Sequence, residues 1–270
     1  MAERFLMCRP DHFEVAYVIN PWMAGNIAQA DQALAMRQWQ GLVAALENTA
    51  TIECVAPQPG LPDMVFTANA GLVQRDVFVP AHFRHPQRRG EETYFLEWFI
   101  AQGYRIKSLP PEMRFEGAGD ALFDRRLPLL WLGHGLRSDD ASAALLADIL
   151  DIEVTALQLV DPRFYHLDTC FCPLAGGHLM YYPAAFDAVS QAAIAARVPP
   201  SLRIAVSADD ALAFACNAVN SGQRVLMNHA SKQLQDSLRQ CGFAPQCLPL
   251  SQFIKAGGAA KCLTLRLDEA

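Results

Sequence analysis

The 270-residue chain has no apolar run long enough to span a bilayer. Its longest candidates, such as LPLLWLGHGL, are short and interrupted. The first residues, MAERFLMCRPDH, lack the basic flank and apolar stretch of a secretion signal. A positive balance is missing too. The 22 Lys and Arg against 28 Asp and Glu leave a net charge of −6, so nothing draws the chain to nucleic acid or to an anionic membrane. Charged residues make up only 19%, and no tract has the composition of a disordered segment. What is present is a globular composition, 52% hydrophobic, sufficient for a substantial core. Eight cysteines without a secretion signal are expected to be reduced thiols in a cytoplasmic protein, most of them packed as small apolar side chains.

The second feature is a repeat. Helix-like segments fall at 32–48, 91–103, 142–150, 185–198 and 230–242. In the first, Leu34, Trp39, Leu42, Val43 and Leu46 follow the three-and-four spacing of one apolar face. Gly103 and Gly242 stand where helix C-caps belong. A strand-like run follows each helix: TIECVAP, YRIKSLP, IEVTALQLV, LRIAVSA and FAPQCLPL. A polar patch then leads into a hairpin-like pattern with a turn signal at QRD, DRR, AGG or SGQ. The polar landmarks Asn69, Gly119, Asp168, Asn217 and Cys262 recur in steps of 50, 49, 49 and 45 residues, a spacing that signals a repeated architecture. Five units account for nearly the whole chain, so one catalytic domain over 1–270 is expected. The fifth hairpin lacks a second strand, and RFLMCRP at the N-terminus is expected to supply it and close a ring. The predicted fold is a five-bladed α/β propeller. In such a ring the starts of the hairpins converge, which turns distant residues into one candidate pocket.

That pocket is expected to hold Asn69, Glu116, His166, Asp168 and Cys262. A thiol attacks as thiolate, a form that a neighbouring imidazolium favours, and His166 then serves as acid and base. Carboxylates in a buried pocket call for a cationic partner rich in hydrogen-bond donors, and a planar guanidinium is one. Gly257 and Gly258 leave room for a ligand to approach the backbone. A competing reading starts from FYHLDTCFC, where His166, Asp168, Cys170 and Cys172 would share one face of a strand. No second close pair of ligands accompanies it, so neither a metal nor a cofactor is expected.

The segments FTANAG, FEGAGDAL, GLRSD, HLDTCFCP and GGAAKCLTL resemble the guanidino-group modifying enzymes, the pentein superfamily. The similarity runs over nearly the full chain and is closest to arginine dihydrolases, with CRPDHFEVAYVINPWM as a further match. The resemblance implies that Cys262 is the nucleophile and His166 the acid/base with Glu116 as its partner. Asp168 and the residue at position 69 would hold the guanidino group. Arg88 and Arg137 would bind the substrate carboxylate, and Asn20, Phe66 and Asp120 would complete the substrate site. A homo-oligomer is a further expectation on the same basis.

Several residues keep a plainer alternative. Arg137 can pair with Asp139 or Asp140 at the surface, and Arg84 or Arg89 can stand in for Arg88. Asn20 can simply cap the turn at Pro21. Either Glu116 or Asp120 can be a backbone brace. Asn217 has no assigned role. Deiminases and dimethylargininases typically carry aspartate where this chain has Asn69. Aspartate only accepts hydrogen bonds, whereas asparagine also donates and so suits the carbonyl oxygen of a ureido group. The expected reaction is therefore hydrolysis of L-arginine to ornithine, carbon dioxide and two ammonia. A deiminase or dimethylargininase giving citrulline, or a guanidino-binding protein without activity, are the alternatives.

Overall fold

A computed structural model describes residues 3–269. It contains five three-stranded sheets, each but one made by a single continuous stretch of chain. In the first complete unit, Gly71–Gln74 and Val77–Pro80 form an antiparallel hairpin. Helix Glu91–Ala101 then crosses over, and Arg105–Ile106 pairs parallel to the hairpin's second strand. A parallel pair needs such a crossover because a tight turn reverses direction. The same order recurs from Ala121–Phe123 to Glu153–Gln158, from Phe171–Leu174 to Arg203–Ala205, and from Val219–Ser221 to Ala244–Cys247. The exception is the sheet that joins the two ends. Glu3–Cys8 runs antiparallel to Leu265–Arg266, with Phe5 opposite Arg266, and parallel to Ala50–Val55. The N-terminal strand thus completes the last hairpin, and the ring closes as the repeat predicts.

Local chemistry sets the helix boundaries. Gln32–Leu46 begins after Asp31, whose carboxylate accepts from Leu34 N at 2.9 Å. The helix expected over 185–198 starts later, at Ala188, because Pro183–Ala185 forms a separate tight turn and Asp187 caps the helix. Gly103 and Gly242 follow their helices with φ of 80° and 87°, as C-cap residues do. On the first helix Trp39, Leu42 and Leu46 are buried with Ala35, Gln38 and Ala45, while Leu34 and Val43 sit half-buried on the flanks. Helix Glu91–Ala101 packs on its sheet through Phe99, stacked on Phe78 with ring centroids 3.6 Å apart. Each large apolar side chain buried in this way contributes about 1.5–3 kcal/mol. Among the described residues no helix is long and apolar enough to cross a membrane.

The hairpins are entered through tight turns, and these turns meet. Thr67–Ala70, Gly117–Gly119 and Leu167–Thr169 are single 3-10 turns. Hydrogen bonds tie each turn to the next around the ring. Asn69 Nδ2 donates to Glu116 O at 3.4 Å, and Leu167 N donates to Asp120 Oδ1 at 3.1 Å. Asn217 Nδ2 donates to Asp168 O at 3.1 Å, Lys261 N to Asn217 O at 3.3 Å, and Ala68 N to Cys262 O at 3.2 Å. Five positions some fifty residues apart are thereby held in one buried cluster.

Candidate active site

Beside that cluster lies a small cavity. Cys262, Asn69, Arg88, Arg137, Phe66 and Asn20 all line it, with Asp63 and Tyr165. Phe66 is wedged close to Gly258, where any side chain would collide with its ring, and Gly257 has φ +88°. The two glycines therefore let the segment before Cys262 pass directly under the aromatic wall.

Cys262 is 2% exposed. Its sulfur lies 3.3 and 3.6 Å from the two carboxylate oxygens of Asp168 and 3.0 Å from Asn217 Nδ2. Burial and the Asp168 carboxylate push the thiol well above its ordinary value, so the resting sulfur is protonated and donates to Asp168. Burial likewise raises Asp168 to about 6, against the opposing pull of Lys261 and of hydrogen bonds from Cys262 and Asn217. The nearest polar neighbours of the sulfur are thus a carboxylate and an amide. The imidazole is not among its hydrogen-bond partners.

His166, Glu116 and Asp168 form a layer behind the cavity wall. His166 Nε2 lies 2.7 Å from Glu116 Oε2, and Arg137 Nη1 donates to the same oxygen at 3.0 Å. All three side chains are buried. Burial opposes the charge on Glu116, yet Arg137 and His166 together hold its carboxyl well below the usual range. The other imidazole nitrogen, Nδ1, is buried with no partner. It borders the space beside Gly119 that Asn69 Nδ2 also borders. The group available for proton transfer is therefore Nδ1, with Glu116 fixing the ring from the far side.

Arg88, not the exposed Arg84 or Arg89, is the buried arginine of its loop. It forms a two-pronged pair with Glu91, both bonds at 2.8 Å, and donates to Asn69 Oδ1 at 2.8 Å. Arg137 pairs with Glu116 and donates to Ile19 O at 2.8 Å, so the surface pairing with Asp139 or Asp140 is excluded by its burial. Asn20 does cap its turn, accepting from Trp22 N and Met23 N, and also donates to Ala256 O at 2.9 Å while lining the cavity. Asp120, expected in the substrate site or as a backbone brace, is placed behind the cavity wall with Glu116 and His166. Its oxygens accept from Ser138 Oγ at 2.6 Å and Leu167 N at 3.1 Å, contacts that brace the backbone.

The FYHLDTCFC stretch also departs from expectation. Leu167–Thr169 is a turn, so the alternation of a strand holds only from Phe171. His166 faces Glu116, Asp168 faces Cys262, and the Cys170 and Cys172 thiols donate to the Leu167 and Ala218 carbonyls. Among the described residues no three His, Cys, Asp or Glu side chains are grouped to hold a metal. All eight cysteines are free thiols.

Two wall residues escaped the sequence reading. Asp63 is buried, accepts from Tyr17 Oη at 2.9 Å through Oδ2, and has no partner on Oδ1. Tyr165 donates to Gly257 O at 2.8 Å and carries the Arg137 guanidinium 4.6 Å above its ring. The Pro-Asp-Met-Val turn that contains Asp63 is a local signal for it; nothing local marks Tyr165.

Comparison with known proteins agrees with this architecture. A family model described as N,N dimethylarginine dimethylhydrolase, eukaryotic, matches residues 10–268. The bifunctional arginine dihydrolase/ornithine cyclodeaminase AgrE of Nostoc sp. is 56% identical over 98% of this chain, and ArgZ of Synechocystis sp. is 53% identical over the same share. The chain spans only 38% of the length of each. A dimethylarginine dimethylaminohydrolase of Mycobacterium tuberculosis is 39% identical over 98% of this chain and 85% of its own. The crystal structure of the N-terminal domain of ArgZ bound to substrate superposes with a TM-score of 0.98 at 52% identity, covering 99% of this chain and 98% of that one. Fold, repeat and sequence all place the chain in the N,N-dimethylarginine dimethylhydrolase family of guanidino-group modifying enzymes, the penteins.

Proposed function

We propose that the chain hydrolyses L-arginine to ornithine, carbon dioxide and two ammonia through a covalent intermediate on Cys262. The observation that carries the proposal is that Cys262 and Asn69, both buried, line one cavity. The similar proteins AgrE and ArgZ are bifunctional arginine dihydrolase/ornithine cyclodeaminases, and the N-terminal domain of ArgZ is an arginine dihydrolase. An asparagine-to-serine variant of ArgZ is described as covalently bound to a reaction intermediate.

The residues divide the work by their chemistry. Arg137 and Arg88 receive the substrate carboxylate, and the unpartnered Asp63 Oδ1 receives its α-ammonium. The guanidinium enters beside Asp168, donating to the carboxylate that holds the thiol in the resting form. Its positive charge favours the thiolate, and the thiol proton passes to His166 Nδ1. The sulfur bonds to the guanidino carbon, and the C–N bond to the terminal nitrogen breaks as His166 returns the proton to the departing ammonia. Water then releases citrulline. Asn69 Nδ2 holds the ureido oxygen for a second attack, and a second water yields ornithine, carbon dioxide and the second ammonia. No metal or organic cofactor takes part in this scheme, which operates on a small molecule in the cytoplasm.

Mass-spectrometric product analysis after incubation with L-arginine tests the proposal. Ornithine is expected, and Cys262→Ser is expected to abolish it; citrulline accumulating without ornithine rejects the two-step reading. The match to the dimethylarginine family supports a second reading, in which the product is citrulline. Parallel assays of arginine and dimethylarginine separate the two.

A further inference from the structure

We infer that Asn217, a residue outside the substrate cavity, both aims the Cys262 nucleophile and favours its thiolate. The inference rests on the reading of Cys262 as nucleophile. Asn217 is fully buried at the entry to the hairpin Val219–Ser221, one unit before the sheet that Cys262 leads into. A side-chain amide offers two N–H donors and one oxygen with two lone pairs. All four are engaged, and three of them on the nucleophile's own turn. Oδ1 accepts from Ala259 N at 3.0 Å and from Cys262 N at 3.2 Å. Nδ2 donates to Cys262 Sγ at 3.0 Å and to Asp168 O at 3.1 Å.

The turn itself explains the need for this anchor. The sequence from Ala256 to Ala260 is Ala-Gly-Gly-Ala-Ala, with no polar side chain of its own to fix the backbone. Asn20 and Tyr165 hold the Ala256 and Gly257 carbonyls, and Asn217, too far away in sequence to be found by local pattern, holds the Ala259 and Cys262 amides. One side chain sets the positions of both Cys262 and Asp168, the nucleophile and the carboxylate that accepts from its thiol.

The electrostatic part follows from the other groups around the sulfur. Asp168 accepts from the thiol and repels a thiolate. The Tyr165 hydroxyl is committed to Gly257 O, and the Lys261 ammonium donates to Ala118 O at 3.2 Å. Asn217 Nδ2 is the side-chain N–H donor hydrogen-bonded to the sulfur among the described residues, and the Ala259 backbone N–H, itself held by Asn217 Oδ1, adds to it. A donor of this kind is worth most when its acceptor is ionised. Because Asn217 does not line the cavity, its loss is expected in kcat and not in KM.

The test is the pH profile of Cys262 alkylation by iodoacetamide, read site by site on the full chain by peptide mass spectrometry. In Asn217→Ala the midpoint is expected to rise by about one unit, slowing alkylation about tenfold at a fixed pH below it. The KM for arginine should stay within about twofold as kcat falls. A role in holding the turn alone predicts the opposite sign, since a loosened, more exposed thiol is alkylated faster. An unshifted or lowered midpoint in folded Asn217→Ala therefore overturns the inference. Should that variant not fold, Asn217→Asp retains both acceptor bonds to the turn, and an unchanged profile in it overturns the inference equally. Alkylation reads the thiol whether or not arginine is turned over, so failure of the proposed reaction would be visible separately.

Discussion

Replacing Asn69 by aspartate keeps the shape of the side chain and removes both amide N–H donors. Asn69 is 2% exposed, with Oδ1 held by Arg88 at 2.8 Å and Nδ2 directed at Glu116 O, 3.4 Å away. In the variant the Arg88 bond persists and becomes an ion pair. The other oxygen now faces an acceptor wherever Nδ2 faced one. A guanidinium donates only, so the first hydrolysis is little affected. Citrulline presents a carbonyl oxygen, and leaving it unpaired in a buried site costs about 1–3 kcal/mol. That corresponds to about 5- to 150-fold in the second step. The assay supplies L-arginine or L-citrulline separately and measures ornithine against time. Asn69→Asp is expected to accumulate citrulline from arginine and to turn citrulline into ornithine slower by that factor. Conversion of citrulline at the unmutated rate would refute the argument about the amide.

Three other perturbations read different parts of the site. Gly119→Ala places a methyl group against Asn69 Nδ2 and 3.3 Å from His166 Nδ1, so ornithine formation should drop at least about tenfold while the melting temperature moves little; full activity would show that position 69 has slack. Arg137→Ala strands the buried Glu116 carboxylate and should lower stability by about 3–5 kcal/mol in urea titrations, with a shift under about 1 kcal/mol counting against a tight buried pair. Asp168, raised by burial to about 6, must be ionised to accept from the guanidinium, so kcat/KM should rise with pH through about 6 and Asp168→Asn should lose that limb. The sign for stability is the reverse. A raised carboxyl favours the fold below its unfolded value, and that contribution is lost as pH rises through about 6, so Asp168→Asn should melt higher than the parent at neutral pH.

What was legible in the sequence is what depends on spacing along the chain. Helix faces, caps and turn residues repeat every fifty residues, and the missing strand of the last hairpin points to the N-terminus. Glu3–Cys8 lies beside Leu265–Arg266 for that reason. Convergence of Asn69, Asp168 and Cys262 follows from the ring alone, because equivalent positions in a closed repeat share the axis.

The tertiary structure decided everything that depends on which atoms meet across units. Burial singles out Arg88 from Arg84 and Arg89 and turns Arg137 from a surface residue into the partner of Glu116. Asp120 reads like Glu116 in sequence, yet its oxygens are consumed by Ser138 and Leu167. The orphan oxygen of Asp63 and the fourfold engagement of Asn217 have no local signature at all. Periodicity specifies where a residue sits on the ring. Whether its polar atoms face a cavity, a sulfur or a backbone amide is settled only by contacts between segments far apart in the chain, where desolvation makes every unpaired group costly.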